Sequence, residues 1–314
     1  MLKSVKVRLK PNKDQELKLW QAASIARFAY NWALARQKEN RDTGGKFLND
    51  KVLRREFTEL KQQKEYAWLY KTSNNVPKQA IKDACGAFKK FFQGLAGFPN
   101  FKSKKKTKPS FYNDNIKLKF QQEYFLLEKI GWVKISEPER ITADKFHNPR
   151  ISFDGKYWYL SVGIDTPKPE PLLSSATVSV KFAPPDLPVC QTKIKKLRRL
   201  QRQASRKYGK NKKGKEYVKT GNIIKLEKKI RLIYRQIANT RLNHLHQATA
   251  AIVKTKPKRV VLETLAKSGY LTTPGGEQGL SKFKYLLAYK CAFYGIEFID
   301  TARFTPGKNQ TAIA

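Results

Sequence analysis

Aliphatic and polar residues alternate from the start of the chain. In Ser4-Val-Lys-Val-Arg-Leu9 every second side chain is apolar and those between are basic or hydroxylic. A period of two with one wet face predicts a strand, and Pro11-Asn12 ends it. Apolar spacing then becomes helical. A helix is expected from about Asp14 through Trp20, Ala23, Phe28, Tyr30, Trp32 and Leu34. A second covers Lys51 to Leu60, Tyr66–Tyr70 is a short apolar segment, and a third helix runs from Val76 to Phe92. Val76, Ala80, Ala84, Ala87, Phe88, Phe91 and Phe92 mark the side of that third helix expected to be buried.

From Ile116 the period returns to two. Ile116–Phe120, Tyr124–Glu128, Trp132–Ile135, Arg150–Phe153 and Tyr157–Ile164 read as short strands, with Asp154-Gly155 as a hairpin turn. With the first strand they predict a small barrel into which the helices are inserted. Pro167, Pro169 and Pro171 read as a linker. Beyond it lie a strand over Thr177–Phe182, two long helices over Ile194–Ser205 and Ile223–Val253, and a buried aliphatic strand ending at Glu263. A Gly-rich loop at Pro274-Gly-Gly276, a helix around Phe283–Tyr294 and a strand over Ile296–Ile299 complete the pattern.

Charge narrows the function. The 314 residues carry 65 Lys and Arg against 25 Asp and Glu, a net charge of +40. Self-repulsion of that size opposes a compact state unless a polyanion is bound, which points to nucleic acid. Hydrophobic residues make up 40% of the chain, enough for a packed core. No apolar run reaches the ~18 residues of a spanning helix, and Met1-Leu2-Lys3 opens no signal peptide, so no membrane partner and a cytosolic location are expected. Cys85, Cys190 and Cys291 are scattered and include no C-x-x-C, so reduced, buried thiols and no zinc site are expected. Between Gln191 and Arg235 there are 18 Lys and Arg but two acids, which predicts a helical hairpin with a basic outer face. Gly94–Lys108 interleaves Phe98 and Phe101 with Lys102, Lys104, Lys105, Lys106 and Lys108, a composition suited to single strands or nucleic-acid backbone.

Five motifs occur in order: Phe28-Ala-Tyr-Asn-Trp-Ala33, Gly97-Phe-Pro-Asn-Phe-Lys-Ser103, the helix Leu197–Lys207, Val260-Val-Leu-Glu263 and Tyr294-Gly-Ile296. As an ordered set they resemble TnpB (OrfB), the family of transposon-encoded RNA-guided nucleases. The resemblance implies an α+β multidomain fold. A split wedge β-barrel (1–10 and 98–170) would hold an inserted helical recognition lobe (11–97). A truncated RNase H-like RuvC domain (171–314) would carry the helical hairpin (191–253) and no zinc ribbon. It also implies a guide RNA and double-stranded DNA with an adjacent motif as partners, bound by a monomer, with no other cofactor. By resemblance, Lys78, Gln79, Lys82, Tyr112 and Asn113 would read the adjacent motif. Lys102, Lys104, Lys105, Arg198, Arg199, Arg202, Arg206 and Lys207 would grip the guide or the heteroduplex.

Departures from the family pattern change the expected chemistry. The family's first RuvC aspartate sits in a Gly-Ile-Asp-x-Gly strand; the matching strand here, Val178-Ser-Val-Lys-Phe-Ala183, puts Lys181 at that position. Glu263 matches the second acid. The turn Pro306-Gly-Lys-Asn-Gln310 lacks the cysteine of the family's zinc-ribbon turn, and no third acid follows it. An ammonium ~4 Å from a cation costs ~4 kcal/mol even at an effective dielectric near 20. The expectation is therefore a nuclease-dead protein with no metal, like the TnpB-derived repressors (TldR), occupying promoter DNA without cutting it. An active nuclease using Asp165, Glu263 and Asp300 is the alternative, with Gly163-Ile-Asp165 superficially matching the first acid. A decayed transposon product or a general RNA chaperone is the third.

Overall fold

The protein is described by a computed structural model covering residues 1–104, 107–167, 169–181, 188–214, 216–263 and 276–301. The chain divides into two compact units, Met1–Thr166 and Pro167–Ala314. Their elements are mixed helix and sheet, as expected for an α+β chain, with an antiparallel sheet in the first unit.

In the first unit, strand β1 (Leu2–Lys10) buries Val5, Val7 and Leu9, the alternate positions of the sequence pattern. Helix α1 (Lys13–Asp42) begins at a reciprocal cap. Asn12 Oδ1 accepts from the Gln15 backbone N–H at 2.8 Å, and Gln15 Oε1 accepts from the Asn12 N–H at 3.1 Å. Two donors that the first helical turn would leave unpaired are thereby satisfied. Helix α2 (Asp50–Leu60) and a 3-10 segment (Lys64–Lys71) follow, then helix α3 (Asn75–Phe92). Ala22, Ala23, Ala26, Ala29 and Ala33 of α1 and Ala80 and Ala84 of α3 are all buried, and their small side chains let the helices pack closely.

Strands β2 (Ser110–Tyr112), β3 (Lys119–Gln121), β4 (Tyr124–Leu127), β5 (Gly131–Ile135), β6 (His147–Phe153) and β7 (Trp158–Asp165) complete a sheet with β1. Its order is β2-β6-β7-β1-β5-β4-β3, and every pair is antiparallel. The barrel expected from the sequence is corrected here: in its hydrogen bonding the sheet is open, with β2 and β3 as edges. Helices and strands share one hydrophobic core, and Trp20 of α1 packs its ring 4.8 Å from Phe153 and 5.0 Å from Trp158. Two further corrections concern strands. Ile116 is 83% exposed and precedes β3 instead of starting it, and β2 was not foreseen.

In the second unit, β8 (Ser174–Lys181) leads to helix α4 (Pro188–Lys210), with Pro at the helix start where its missing N–H costs nothing. A two-stranded ribbon, β9 (Lys212–Lys213) with β10 (Glu216–Tyr217), joins α4 to α5 (Gly221–Lys254). The helices form the expected hairpin, closed by Leu197, Leu200, Ala204, Leu226, Ile233 and Ile237. Strand β11 (Pro257–Glu263) is the centre of a parallel sheet, order β12-β11-β8, where β12 is Glu297–Asp300. Helix α6 (Gly276–Tyr294) and the last turns of α5 pack on Val260 and Leu262. Val260 and Leu262 are fully buried whereas Val261 is only half-buried, so among the described residues β11 is more deeply covered on one face. The Gly-rich turn at Pro274-Gly275, Lys105, and the Pro306–Gln310 turn lie outside the described residues.

Candidate nucleic-acid interface

The pocket between α1, α3 and β2 gathers several of the residues expected to touch nucleic acid. Gln79, Asp83, Lys102, Lys108, Tyr112 and Arg150 line it, with Arg27 at its side. Asp83 organises it. The Arg150 guanidinium grips both carboxylate oxygens, at 2.8 and 2.9 Å, and Gln79 Nε2 donates to Oδ1 at 2.9 Å. Burial pushes the Asp83 carboxyl up. The hydrogen bonds from Arg150 and Gln79, with the Arg150 and Lys102 charges, outweigh it and hold the carboxyl below its ordinary range.

Lys102 is drawn inward. Its ammonium lies 3.5 Å from the centre of the Tyr30 ring, and burial lowers its pKa, partly offset by Asp83. Its backbone is tied to α1 on both sides: Asn31 Nδ2 donates to the Lys102 carbonyl at 2.8 Å, and the Lys102 N–H donates to Asn31 Oδ1 at 2.8 Å. The conformation of the Phe98–Lys104 stretch therefore depends on α1. Lys104 is exposed.

The five residues expected to read an adjacent motif separate into two groups. Lys78 and Lys82 are exposed on α3, Gln79 is half-buried beside them, and Tyr112 lines the pocket rim. Asn113 is not available in the same way. It is only 4% exposed, its Oδ1 accepts from the Glu128 N–H at 3.2 Å, and its Nδ2 donates to the Asp114 carbonyl at 2.9 Å. Its amide holds the turn after β2, a correction to the sequence expectation. Asp83 and Arg150, which order the pocket, were missed. They are 67 positions apart, and the packing of α3 on β2, with β6 next in the sheet, brings them together.

On the hairpin the expected residues lie on one strongly basic surface. Arg198, Arg199, Arg202, Arg206 and Lys207 are all exposed, while Leu197, Leu200 and Ala204 face α5. Glu227, one of the two acids in the stretch, is occupied internally: Tyr208 donates to it at 2.5 Å and Lys219 Nζ approaches at 2.7 Å. The surface charge of α4 is thus left almost unopposed.

Strands β8, β11 and β12 end together, and their last residues are Lys181, Glu263 and Asp300. Carboxyl ends of parallel strands are where α/β sheets place ligands. Lys181 pairs in register with Glu263, and its Nζ lies 3.6 Å from Glu263 Oε2. Ser179 donates to Glu263 Oε1 at 2.5 Å. The Ser179 hydroxyl and the Lys181 charge hold Glu263 below the usual carboxylate range, against burial. Asp300 is gripped by Lys284, which donates to its two oxygens at 3.2 and 2.9 Å. A hard divalent cation such as Mg²⁺ takes several oxygen ligands. Among the described residues the two carboxylates at these strand ends, Glu263 and Asp300, are each paired with an ammonium. Among the described residues no group of three or more His, Cys, Asp or Glu is placed to hold a metal. Asp165 belongs to the other sheet: it ends β7, pairs with Leu2 of β1, and bonds His147 Nε2 at 2.8 Å. Cys85 and Cys291 are buried free thiols, and no described helix is long and apolar enough to cross a membrane.

Comparison with known proteins agrees with the motif order. Residues 1–46 match the helix-turn-helix domain family HTH_OrfB_IS605; here they form β1, α1 and the start of the following connection. The chain is 29% identical over 329 residues to "Putative RNA-guided DNA endonuclease InsQ" of Escherichia coli strain K12, spanning 94% of this chain and 79% of that protein. It is 25% identical over 334 residues to a "Putative RNA-guided DNA endonuclease" of Streptomyces pristinaespiralis, spanning 97% and 78%. The cryo-EM structure of a Cas12f1–sgRNA–target DNA complex is similar in fold, with a TM-score of 0.53 at 12% identity over 91% of this chain and 72% of that one. Motif order, the N-terminal domain match and near full-length similarity to two such relatives together support the resemblance to the OrfB family.

Proposed function

We propose that this chain binds a guide RNA and holds complementary duplex DNA without cutting it, repressing transcription where that DNA is a promoter. RNA-guided DNA binding is supported by the names of the two relatives and by the basic surfaces of the hairpin and of the Phe98–Lys108 stretch. Base pairing would carry target specificity while the protein holds backbone and adjacent motif. Lys78, Gln79, Lys82 and Tyr112 are the residues proposed to touch the motif, and the arginines of α4 those proposed to grip the guide or heteroduplex.

The observation that carries the loss of cleavage is Lys181, in register beside Glu263 and 3.6 Å from its carboxylate. The ammonium supplies as a fixed side chain the positive charge that a nuclease would recruit as a metal ion. A bound but uncut promoter is blocked by occupancy alone, which needs residence and no chemistry.

The relatives' names favour a second reading, an active RNA-guided endonuclease. One experiment separates the two. The chain is purified with its bound RNA, that RNA is sequenced, and a matching duplex is supplied with Mg²⁺. The duplex is expected to be retained and recovered intact. Cutting that disappears in Glu263→Gln would overturn the non-cleaving reading.

A further inference from the structure

The end of α3 exposes a ring that its helical pattern assigns to the core, Phe92, next to rings from outside the helix. Phe88 is buried, but Phe92 is 63% exposed, Phe98 42% and Phe47 37%. These rings are in mutual contact. Phe92 lies 5.7 Å from Phe47 and 6.1 Å from Phe88, and Phe98 lies 5.5 Å from Phe88. Phe101 is 58% exposed beside the Asn31–Lys102 anchor. A contiguous apolar patch of this kind marks a contact surface.

Charge decides the kind of partner. From Phe88 to Lys108 the sequence contains seven lysines and no acid. Lys89 and Lys90 are exposed next to the rings, and the Arg41 guanidinium lies 5.8 Å from the Phe98 ring centre. A second copy of a chain with a charge of +40 would meet the same lysines. The patch therefore suits a polyanion that also carries flat apolar faces. Unpaired nucleotides have both, and a duplex hides the second inside its base stack.

We propose that Phe92, with Phe98 in the same ring cluster, is a stacking platform for unpaired nucleobases, and that the exposed Lys89, Lys90 and Lys104 hold the phosphates. This rests on the reading of the chain as a nucleic-acid binder and is independent of whether it cuts.

The test uses the full-length chain freed of bound nucleic acid. The probes are a labelled oligothymidine of about 12 nucleotides, within the span of a single-strand groove, an abasic strand of equal length, and phosphatidylserine vesicles. Phe92→Leu keeps an apolar side chain and removes the ring. It is expected to weaken oligothymidine binding roughly fivefold or more, the lower range for losing one stacked base, and to leave the abasic strand unaffected. Phe92→Trp is expected to retain the affinity and to show indole fluorescence quenched by oligothymidine and not by the abasic strand. Equal losses on both strands, or none, would overturn the platform. So would a Phe92→Leu change that alters only self-association in sedimentation, or only vesicle binding. If the unaltered chain binds neither strand, the nucleic-acid reading fails and the platform with it.

Discussion

Asp83 and Lys181 show how much one side chain decides here. Asp83 holds Arg150 with two hydrogen bonds and fixes the Gln79 amide, because a carboxylate only accepts and so must face the NH₂ group. Removing that charge leaves a half-buried guanidinium without its partner. Asp83→Asn is expected to cost about 1–2 kcal/mol, kept low by partial exposure of both groups. The pH dependence has a definite sign. The folded-state pKa of Asp83 is depressed, so its contribution is complete above the ordinary aspartate value of about 3.9 and is lost as pH falls through the lower folded value. Melting curves should show a gap between the two proteins that is constant from neutral pH to about 4 and closes below it. A gap of the same size at pH about 2 would show that the ion pair is not its source. Neither residue of this pair stood out in the sequence, because nothing local links position 83 to position 150. Lys181 did stand out, but only through the resemblance, which aligns Val178–Ala183 with the family's Gly-Ile-Asp-x-Gly strand.

At the scale of elements, α4 is a helix whose two sides do different work. Leu197, Leu200 and Ala204 close the hairpin, and Arg198, Arg199, Arg202 and Arg206 remain in solvent. Arg198 and Arg202 are one helical turn apart. Replacing both with Ala should leave the hairpin folded, weaken RNA binding, and reduce the slope of log affinity against log salt by about 1.5–2. Titrations at several salt concentrations read this directly, and an unchanged slope would remove α4 from the interface. The hairpin was legible because its apolar stripe keeps a helical period over many residues. Strand β2 was not legible: three residues after a lysine run carry no periodic signal, and its existence depends on pairing with β6 while Phe111 fills the core. Phe92 failed in the opposite direction. Its spacing matches the buried stripe of α3, yet the helix there runs past the core it packs on.

For the whole molecule the controlling quantity is charge. A net +40 resists compaction, and a bound polyanion relieves that resistance in the folded state. Ligand at a hundred times its dissociation constant adds about 2.7 kcal/mol to stability. The chain stripped of nucleic acid should therefore melt several degrees below the chain with its RNA restored, and the difference should shrink as salt rises. Scanning calorimetry with and without added RNA checks this, and equal melting temperatures at low salt would argue against a stabilising polyanion. The division into two units at Thr166–Pro167 lies where the prolines of the sequence thin out the pattern.

Local periodicity and charge were sufficient for the long helices, most strands and the basic surface of the hairpin. Each is encoded by residues a few places apart, which is the range over which side-chain spacing imposes a backbone period. Tertiary structure decided what depends on distant partners. It opened the sheet at β2 and β3, turned Asn113 into a backbone anchor, joined Asp83 to Arg150, and set the Lys181 ammonium against Glu263 across two parallel strands. Contacts between residues tens of positions apart leave no periodic trace, because packing, and not chain distance, selects them.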